Sequence, residues 1–207
     1  MATKYYGQYG EDSHIHKKYF PAKRNGVFLE LGAIDGVKYS NTKFFEDALG
    51  WSGVLIEPQP EAFKALAKNR PKCKLYNTAI SSKLGSVDFY LNSVNAVSSI
   101  KEFTSENHYQ KWHTMGNTTV IQVKSDRLEN ILHHAKITHI DFWSLDVEGG
   151  EYEVLKTMDW KIPVYLICIE IQIPERKALC DAILKSNGFI FQEIISINEI
   201  WINLKNK

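Results

Sequence analysis

Phe28-Leu29-Glu30-Leu31-Gly32-Ala33-Ile34-Asp35-Gly36 is the stretch on which the reading of the fold turns. An apolar run beginning at Val27 ends at Leu31, gives way to a glycine-bearing turn, and is followed by an amphipathic pattern from Thr42 to Leu49. A strand that runs through a glycine turn into a helix is the joint at which open α/β sheets bind ligands. The same alternation recurs downstream. Val54 to Ile56, Lys74 to Tyr76, Ile140 to Leu145 and Val164 to Ile171 read as further strands. Gly188 to Ile194 and Ile197 to Leu204 read as a closing hairpin. Between them, Glu61 to Lys68, Arg127 to Ala135, Glu151 to Met158 and Pro174 to Ser186 carry apolar residues at helical spacing. Pro174 suits a first helical turn and Gly188 follows the end of that helix. The expectation is an α/β, Rossmann-like, doubly wound fold: a mostly parallel seven-stranded sheet ending in an antiparallel hairpin. Asn92 to Thr119 breaks the alternation. It is rich in Ser, Asn, His and aromatics, lies between the strand-like pieces Ser86 to Leu91 and Val120 to Lys124, and reads as an irregular lid.

The chemistry of the turn follows from charge. A dinucleotide turn needs glycines at three set positions so that backbone N–H groups can approach a pyrophosphate. Here Ile34 interrupts that pattern and the carboxylates of Glu30 and Asp35 flank it. Acids repel a diphosphate and favour a ligand carrying an ammonium and a sulfonium, which describes S-adenosylmethionine. The alternative is a plain joint in which Gly36 permits a left-handed turn and Asp35 is solvated. Glu57, ending Gly53-Val54-Leu55-Ile56-Glu57-Pro58, stands about 20 residues further on, where an acid accepts ribose hydroxyls in adenosine-binding folds. It also fits a strand that simply ends before Pro58. Tyr39-Ser40-Asn41-Thr42 offers helix caps, whose free N–H groups would suit a carboxylate; capping alone explains them too.

A second acidic group closes the fourth strand, in Leu145-Asp146-Val147-Glu148-Gly149-Gly150-Glu151. Asp146 is expected to face the methyl donor, because its strand adjoins the first one across the switch point; a helix amino terminus would equally favour acids here. Glu170 ends the apolar fifth strand and needs a partner: an acceptor hydroxyl, a divalent ion shared with Asp146, or a Lys or Arg. Asp146, Glu148 and Glu170 are thus candidate catalytic groups. His113, with His108, Tyr109 and Trp112 nearby, is a candidate base on the lid, the competing reading being ordinary surface histidines. None of the seven histidines has zinc-ligand spacing.

The 207 residues suit one domain spanning 1–207, and 25 basic against 24 acidic residues, interspersed, give no footprint for nucleic acid or an anionic membrane. Three cysteines without a Cys-x-x-Cys fit a reducing compartment. With no apolar run near the roughly 20 residues that span a bilayer and a polar, aromatic start, a cytoplasmic protein is expected.

Gly7-Gln8-Tyr9-Gly10-Glu11-Asp12, Glu30 to Gly36, Tyr39 to Thr42, Gly50 to Pro58 and Asp146 to Glu151, in this order and spacing, resemble the FkbM-type methyltransferases over nearly the whole chain. The resemblance implies a class I methyltransferase that binds S-adenosylmethionine and usually methylates a hydroxyl, often on a sugar. It implies cofactor contacts at Gln8, Asp12, Glu30, Gly32, Ala33, Asp35, Gly36, Asn41, Glu57, Pro58, Ala79 and Asp146, with residues 1–26 as a covering segment and Asn77 to Ser81 near the adenine. A divalent metal remains open. The chain is also similar to the methyltransferase domain of a multidomain viral glycan-building enzyme that methylates rhamnose, which implies a glycan acceptor, fused glycosyltransferase domains and a host-cytoplasmic site. Two rival readings are an NAD(P)-dependent reductase, which wants the glycine-rich turn absent here, and a catalytically silent nucleotide-binding module, which would not need the acidic edge.

Overall fold

The computed structural model describes residues 4–114 and 118–206, so the expected covering segment and lid each lie partly outside the described residues. Helix α1 (Glu11–Tyr19) leads into β1 (Val27–Leu31), and α2 (Lys43–Leu49), β2 (Ser52–Ile56), α3 (Pro60–Asn69) and β3 (Lys74–Tyr76) complete one half of a large sheet. An insertion follows: β4 (Ala79–Ile80), β5 (Gly85–Asn92), β6 (Ser99–Ile100), α4 (Glu106–Trp112) and β7 (Thr118–Asp126). The second half is α5 (Leu128–His134), β8 (Ile140–Leu145), α6 (Glu151–Lys156), β9 (Val164–Glu170), α7 (Pro174–Ser186), β10 (Ile190–Ile195) and β11 (Asn198–Ile202).

The large sheet has the order β10-β11-β9-β8-β1-β2-β3. Strands β3, β2, β1, β8 and β9 pair in parallel, and β11 runs antiparallel to both β9 and β10. This is the expected seven-stranded doubly wound sheet. Its strand order reverses between β1 and β8, so a crevice opens beyond their carboxyl ends.

Both faces are covered, which is why the strands read as near-continuous apolar runs. Leu29, Leu31, Val54, Trp143, Leu145 and Ile167 pack with Leu132, Leu155 and Leu184 on one face; Phe28, Leu55, Phe142 and Leu166 pack with Ile15, Phe44, Phe45 and Leu66 on the other. Strand alternation puts Glu30 on the same side as Phe28, among aromatic rings, where a carboxylate needs a cation. Arg70 supplies it: wholly buried, its guanidinium lies 5.3 Å from the Phe28 ring centroid and 3.8 Å from Glu30.

Residues 92–119 depart from expectation. The strand-like pieces on either side are β5 and β7 as expected, but the described part between them adds β6 and α4, and β6 joins β5, β7 and β4 in a second, four-stranded sheet of order β4-β7-β5-β6. Phe89, Ile100, Phe103 and Val123 give it a small core of its own. Its short elements, with few apolar residues between turn formers, carry too little periodicity to register in the sequence.

Candidate active site at the switch point

Where β1 and β8 diverge, a cavity of about 400 Å³ opens. Its floor is the β1 turn (Gly32, Ile34), the end of β2 (Glu57, Pro58), and the loops after β8 (Asp146, Glu148) and β9 (Glu170, Gln172). The insertion supplies one wall through Asn95, Ser98, Lys111 and Trp112, and Gln8, Tyr9 and Glu11 supply another. Among the described lining residues, six are carboxylates (Glu11, Glu30, Glu57, Asp146, Glu148 and Glu170) and one, Lys111, is basic. In a concave site that imbalance favours a cationic ligand.

The acids differ in how they are satisfied. Glu30 accepts from Ser40 Oγ at 2.9 Å, Thr42 Oγ1 at 2.7 Å and the Asn41 amide at 2.8 Å. Arg70 binds the Ser40 and Thr42 hydroxyls in turn and pairs with Glu46. Glu30 therefore fixes the loop that enters α2, and its lone pairs are largely committed to that network rather than free for a ligand. The N–H groups expected to be open at this helix start are also engaged, since Ser40 Oγ accepts from the Lys43 amide at 3.1 Å. Capping, not an open carboxylate site, accounts for Tyr39 to Thr42.

Glu57 is buried and receives the Ile34 and Gln59 amides, both at 2.8 Å, one on each oxygen. Burial pushes its proton affinity up, to a pKa of about 7, against those two bonds. Each oxygen keeps a further lone pair for a hydroxyl donor. Glu151 faces away from the cavity and ties its own loop, accepting the Gly149 amide at 2.9 Å.

Asp146, Glu148 and Glu170 form the unsatisfied group. Asp146 Oδ1 and Glu148 Oε2 are buried without a hydrogen-bond partner. Burial and mutual repulsion raise Asp146 well above the usual carboxylate range, and desolvation with Asp146 and Glu170 beside it pushes Glu148 to about 10. Glu170 accepts from Gln172 Nε2 at 3.0 Å, and no Lys or Arg pairs with it among the described residues. Asn41 Oδ1 is a further buried acceptor without a partner, its amide nitrogen being held by Ser144 Oγ at 3.1 Å. Unpaired buried acceptors cost free energy and mark where a donor or cation belongs. Among the described residues, no group of three or more His, Cys, Asp and Glu is arranged to hold a metal ion.

Gln8, Gly32, Asn41, Glu57, Pro58, Ala79, Asp146, Glu148 and Glu170 all line the cavity, as does Thr78-Ala79-Ile80 from the stretch expected near an adenine. Asp12, Ala33, Asp35, Gly36 and His113 do not. Asp12 receives the Tyr6 and Ser13 amides at the start of α1, and Asp35 receives the Val37 and Lys38 amides within its own turn. Ala33 packs in the core, and Gly36 lies against Leu66 and Arg70. His113 is stacked on Tyr90, with Nδ1 at 2.9 Å from Thr118 Oγ1. Neither it nor His108 is the surface residue that was the competing expectation; both are buried. Residues that sequence reasoning passed over are Arg70, which follows an amphipathic helix as one of several cations with Lys64, Lys68 and Lys72, and the wall residues Asn95 and Gln172, which carry no signal of their own.

A doubly wound sheet with an acid-lined crevice at its switch point defines a class I, S-adenosylmethionine-dependent methyltransferase. The chain belongs to the FkbM methyltransferase family: the family model described as "Methyltransferase FkbM domain" matches residues 30–197. No curated protein sequence matches the chain. Among solved structures it is similar to Aeropyrum pernix fibrillarin in complex with natively bound S-adenosyl-L-methionine, at 12% identity, over 95% of this chain and 73% of that one, with a TM-score of 0.52. A human methyltransferase 10 domain containing protein is matched at 12% identity over 93% of this chain and 80% of that one, with a TM-score of 0.49. The likeness to fibrillarin supports the fold. Among the described residues, no helix is long and apolar enough to cross a membrane.

Proposed function

We propose that this chain transfers a methyl group from S-adenosyl-L-methionine to a hydroxyl of a small acceptor, and that the acceptor is a sugar. The observation that carries the reading is the pair of unpartnered, buried carboxylate oxygens on Asp146 and Glu148, facing a cavity with six acids and one base. An ammonium fits Asp146 Oδ1 and Asn41 Oδ1, ribose hydroxyls fit Glu57, and the apolar strip of Pro58, Ala79 and Ile80 fits a purine. When bound, the cofactor supplies an electrophilic methyl on a cationic sulfur, so that an O–CH₃ bond forms as the S–CH₃ bond breaks.

The protein's own part is alignment, exclusion of water and removal of the acceptor's proton. Glu148 is assigned the proton: its Oε2 accepts no hydrogen bond, His108 Nδ1 being its polar neighbour at 3.5 Å, and the loop that carries it is held at φ +57°. Desolvation by burial, with repulsion from Asp146 and Glu170, holds its proton affinity high, and a cationic ligand beside it would lower that affinity and leave the carboxylate ionised to take the acceptor's proton. Asp146 is assigned to the cofactor's amino group, and Glu170 with Gln172 to the acceptor. Trp112 and Tyr9, both partly exposed at the mouth, offer flat apolar faces for a sugar ring, and Asn95, Ser98 and Asn198 offer polar edges. An NAD(P)-dependent reductase is disfavoured because Ile34 interrupts the glycine pattern that admits a pyrophosphate and the orphaned carboxylate of Asp146 lines the cavity beside that turn.

Calorimetric titration with S-adenosyl-L-methionine and with NADH, each with and without magnesium, tests the cofactor. Transfer of labelled methyl to a panel of monosaccharides and glycosides tests the acceptor. Binding of the sulfonium cofactor alone is expected, and binding of NADH, or of neither, would overturn the proposal.

A further inference from the structure

We infer that His108, on α4 of the insertion, is a positioning residue that holds the Glu148 carboxylate and locks the insertion onto the catalytic floor. The inference rests on the reading above, in which Glu148 takes the acceptor's proton. His108 touches three separate segments with one ring. Its Nε2 donates to the Val97 carbonyl at 3.1 Å, its Nδ1 lies 3.1 Å from Gln172 Oε1, and the same Nδ1 lies 3.5 Å from Glu148 Oε2. Val97 belongs to the insertion, Gln172 to the loop after β9, and Glu148 to the loop after β8.

The amide of Gln172 is oriented by its other end, because Nε2 donates to Glu170 Oε1 at 3.0 Å, which leaves Oε1 toward the imidazole. With that orientation both ring nitrogens face oxygens: Nε2 donates to the Val97 carbonyl, and Nδ1 sits between Gln172 Oε1 and Glu148 Oε2. Burial fixes the ring in that place.

The charged groups facing Glu148 can be named. Asp146, Glu170 and Glu151 oppose its ionisation, and Lys111, three residues along the same helix as His108, favours it. Behind His108 stands His113, with ring centroids 5.2 Å apart, held by Thr118 and Tyr90. Lys111 is exposed, whereas His108 is a buried polar side chain of the insertion in reach of the carboxylate. A ring that also grips Val97 and Gln172 limits the directions the carboxylate can take. The acceptor O–H bond breaks with its proton passing to Glu148.

The test needs no acceptor. In the full chain labelled with ¹⁵N-histidine, the Nε2 proton of His108, assigned by through-space correlation to its helix neighbours, is expected to exchange slowly with solvent, as a bond to a buried carbonyl requires. In protein carrying ¹³C-labelled glutamate carboxyls, the Glu148 titration, assigned with E148Q, is expected to move by at least one pH unit in H108Q and not in H113Q. A freely exchanging His108 Nε2 proton in the wild-type chain, or a Glu148 titration unmoved by H108Q, would overturn the inference, and the first of these requires no variant to fold. Methyl transfer by E148Q to an acceptor the wild-type chain methylates is read separately. Retained activity there would sink the role of Glu148 as base while leaving the His108 contact standing.

Discussion

Gly32→Ala probes the joint on which cofactor and catalytic loop both depend. Gly32 has φ +77°, and a Cβ there would come within 2.0 Å of the Asp146 backbone carbonyl oxygen. A carbon–oxygen contact settles at about 3.3 Å or more, so the β8 end must retreat by roughly 1.3 Å. The left-handed backbone costs an L-residue about 1–2 kcal/mol, and the overpacking adds about 1–3 kcal/mol. Gly10 isolates the second component: it has nearly the same backbone, φ +81°, with nothing within 4 Å of an added Cβ. Differential scanning fluorimetry is expected to lower Tm by a few degrees for G10A and by about 10 °C for G32A, at roughly 2–4 °C per kcal/mol for a chain of this size. Because the carbonyl that moves belongs to Asp146, calorimetry is expected to show S-adenosyl-L-methionine affinity falling at least about tenfold for G32A, and not for G10A. Equal melting temperatures for the two variants, with equal cofactor affinity, would refute the steric account.

Two further outcomes follow from the buried charges. Arg70→Met leaves Glu30 and Glu46 buried without their cation, and urea denaturation is expected to show a loss of about 3–5 kcal/mol, part of which returns in R70M/E30Q; an unchanged midpoint would mean that the network is solvated in solution. Glu151 is raised from 4.5 to about 7 by burial, so the folded chain holds its proton more tightly than the unfolded chain does. The stability this contributes is full below about pH 4.5 and lost as pH rises through 7. E151Q, which keeps an oxygen acceptor for the Gly149 amide, is expected to flatten that part of the Tm–pH curve, and an E151Q curve parallel to the wild type would contradict it.

The large sheet was legible because its signals are local. Val27 to Leu31, Lys74 to Tyr76, Ile140 to Leu145 and Pro174 to Ser186 are apolar or periodic runs bounded by turn formers, and the structure gives them the same limits. Placement of acids at the carboxyl edge followed from strand ends alone, which is why Glu57, Asp146, Glu148 and Glu170 all reach the cavity. What the sequence could not convey is satisfaction. Whether Glu30 is free or held depends on Arg70, forty positions away at the end of α3, and whether Asp35 faces a ligand or its own turn depends on two amide directions. The second sheet was hidden for a related reason: β4 and β6 have two residues each, too few to show a period, and their pairing with β7 and β5 is fixed by tertiary contact.

Backbone strain marks the same crevice independently of charge. Six non-glycine residues have positive φ among those described, and three of them, Ile34, Tyr39 and Glu148, line the cavity. Asparagine accepts this conformation readily and Asn25 needs no special account, but a β-branched residue such as Ile34 does not. At Ile34 the strain is opposed by the bond from its amide to Glu57, and at Glu148 by the Gly149 amide bonding Glu151 one residue later. Local preference is thus overruled at the positions where orphaned carboxylates also collect. Stability alone would favour glycine at 34 and an apolar residue at 148, so both departures are intelligible as geometry held ready for a ligand that brings positive charge. The two costs are coupled: relaxing the β8–α6 loop would turn the Glu148 carboxylate away from the cavity and from His108, reducing the repulsion at the expense of the base. A site assembled this way is held by its surroundings, by Glu151 beneath the loop and Arg70 behind the turn, which is why the most destabilising substitutions are expected behind the cavity wall rather than at its surface.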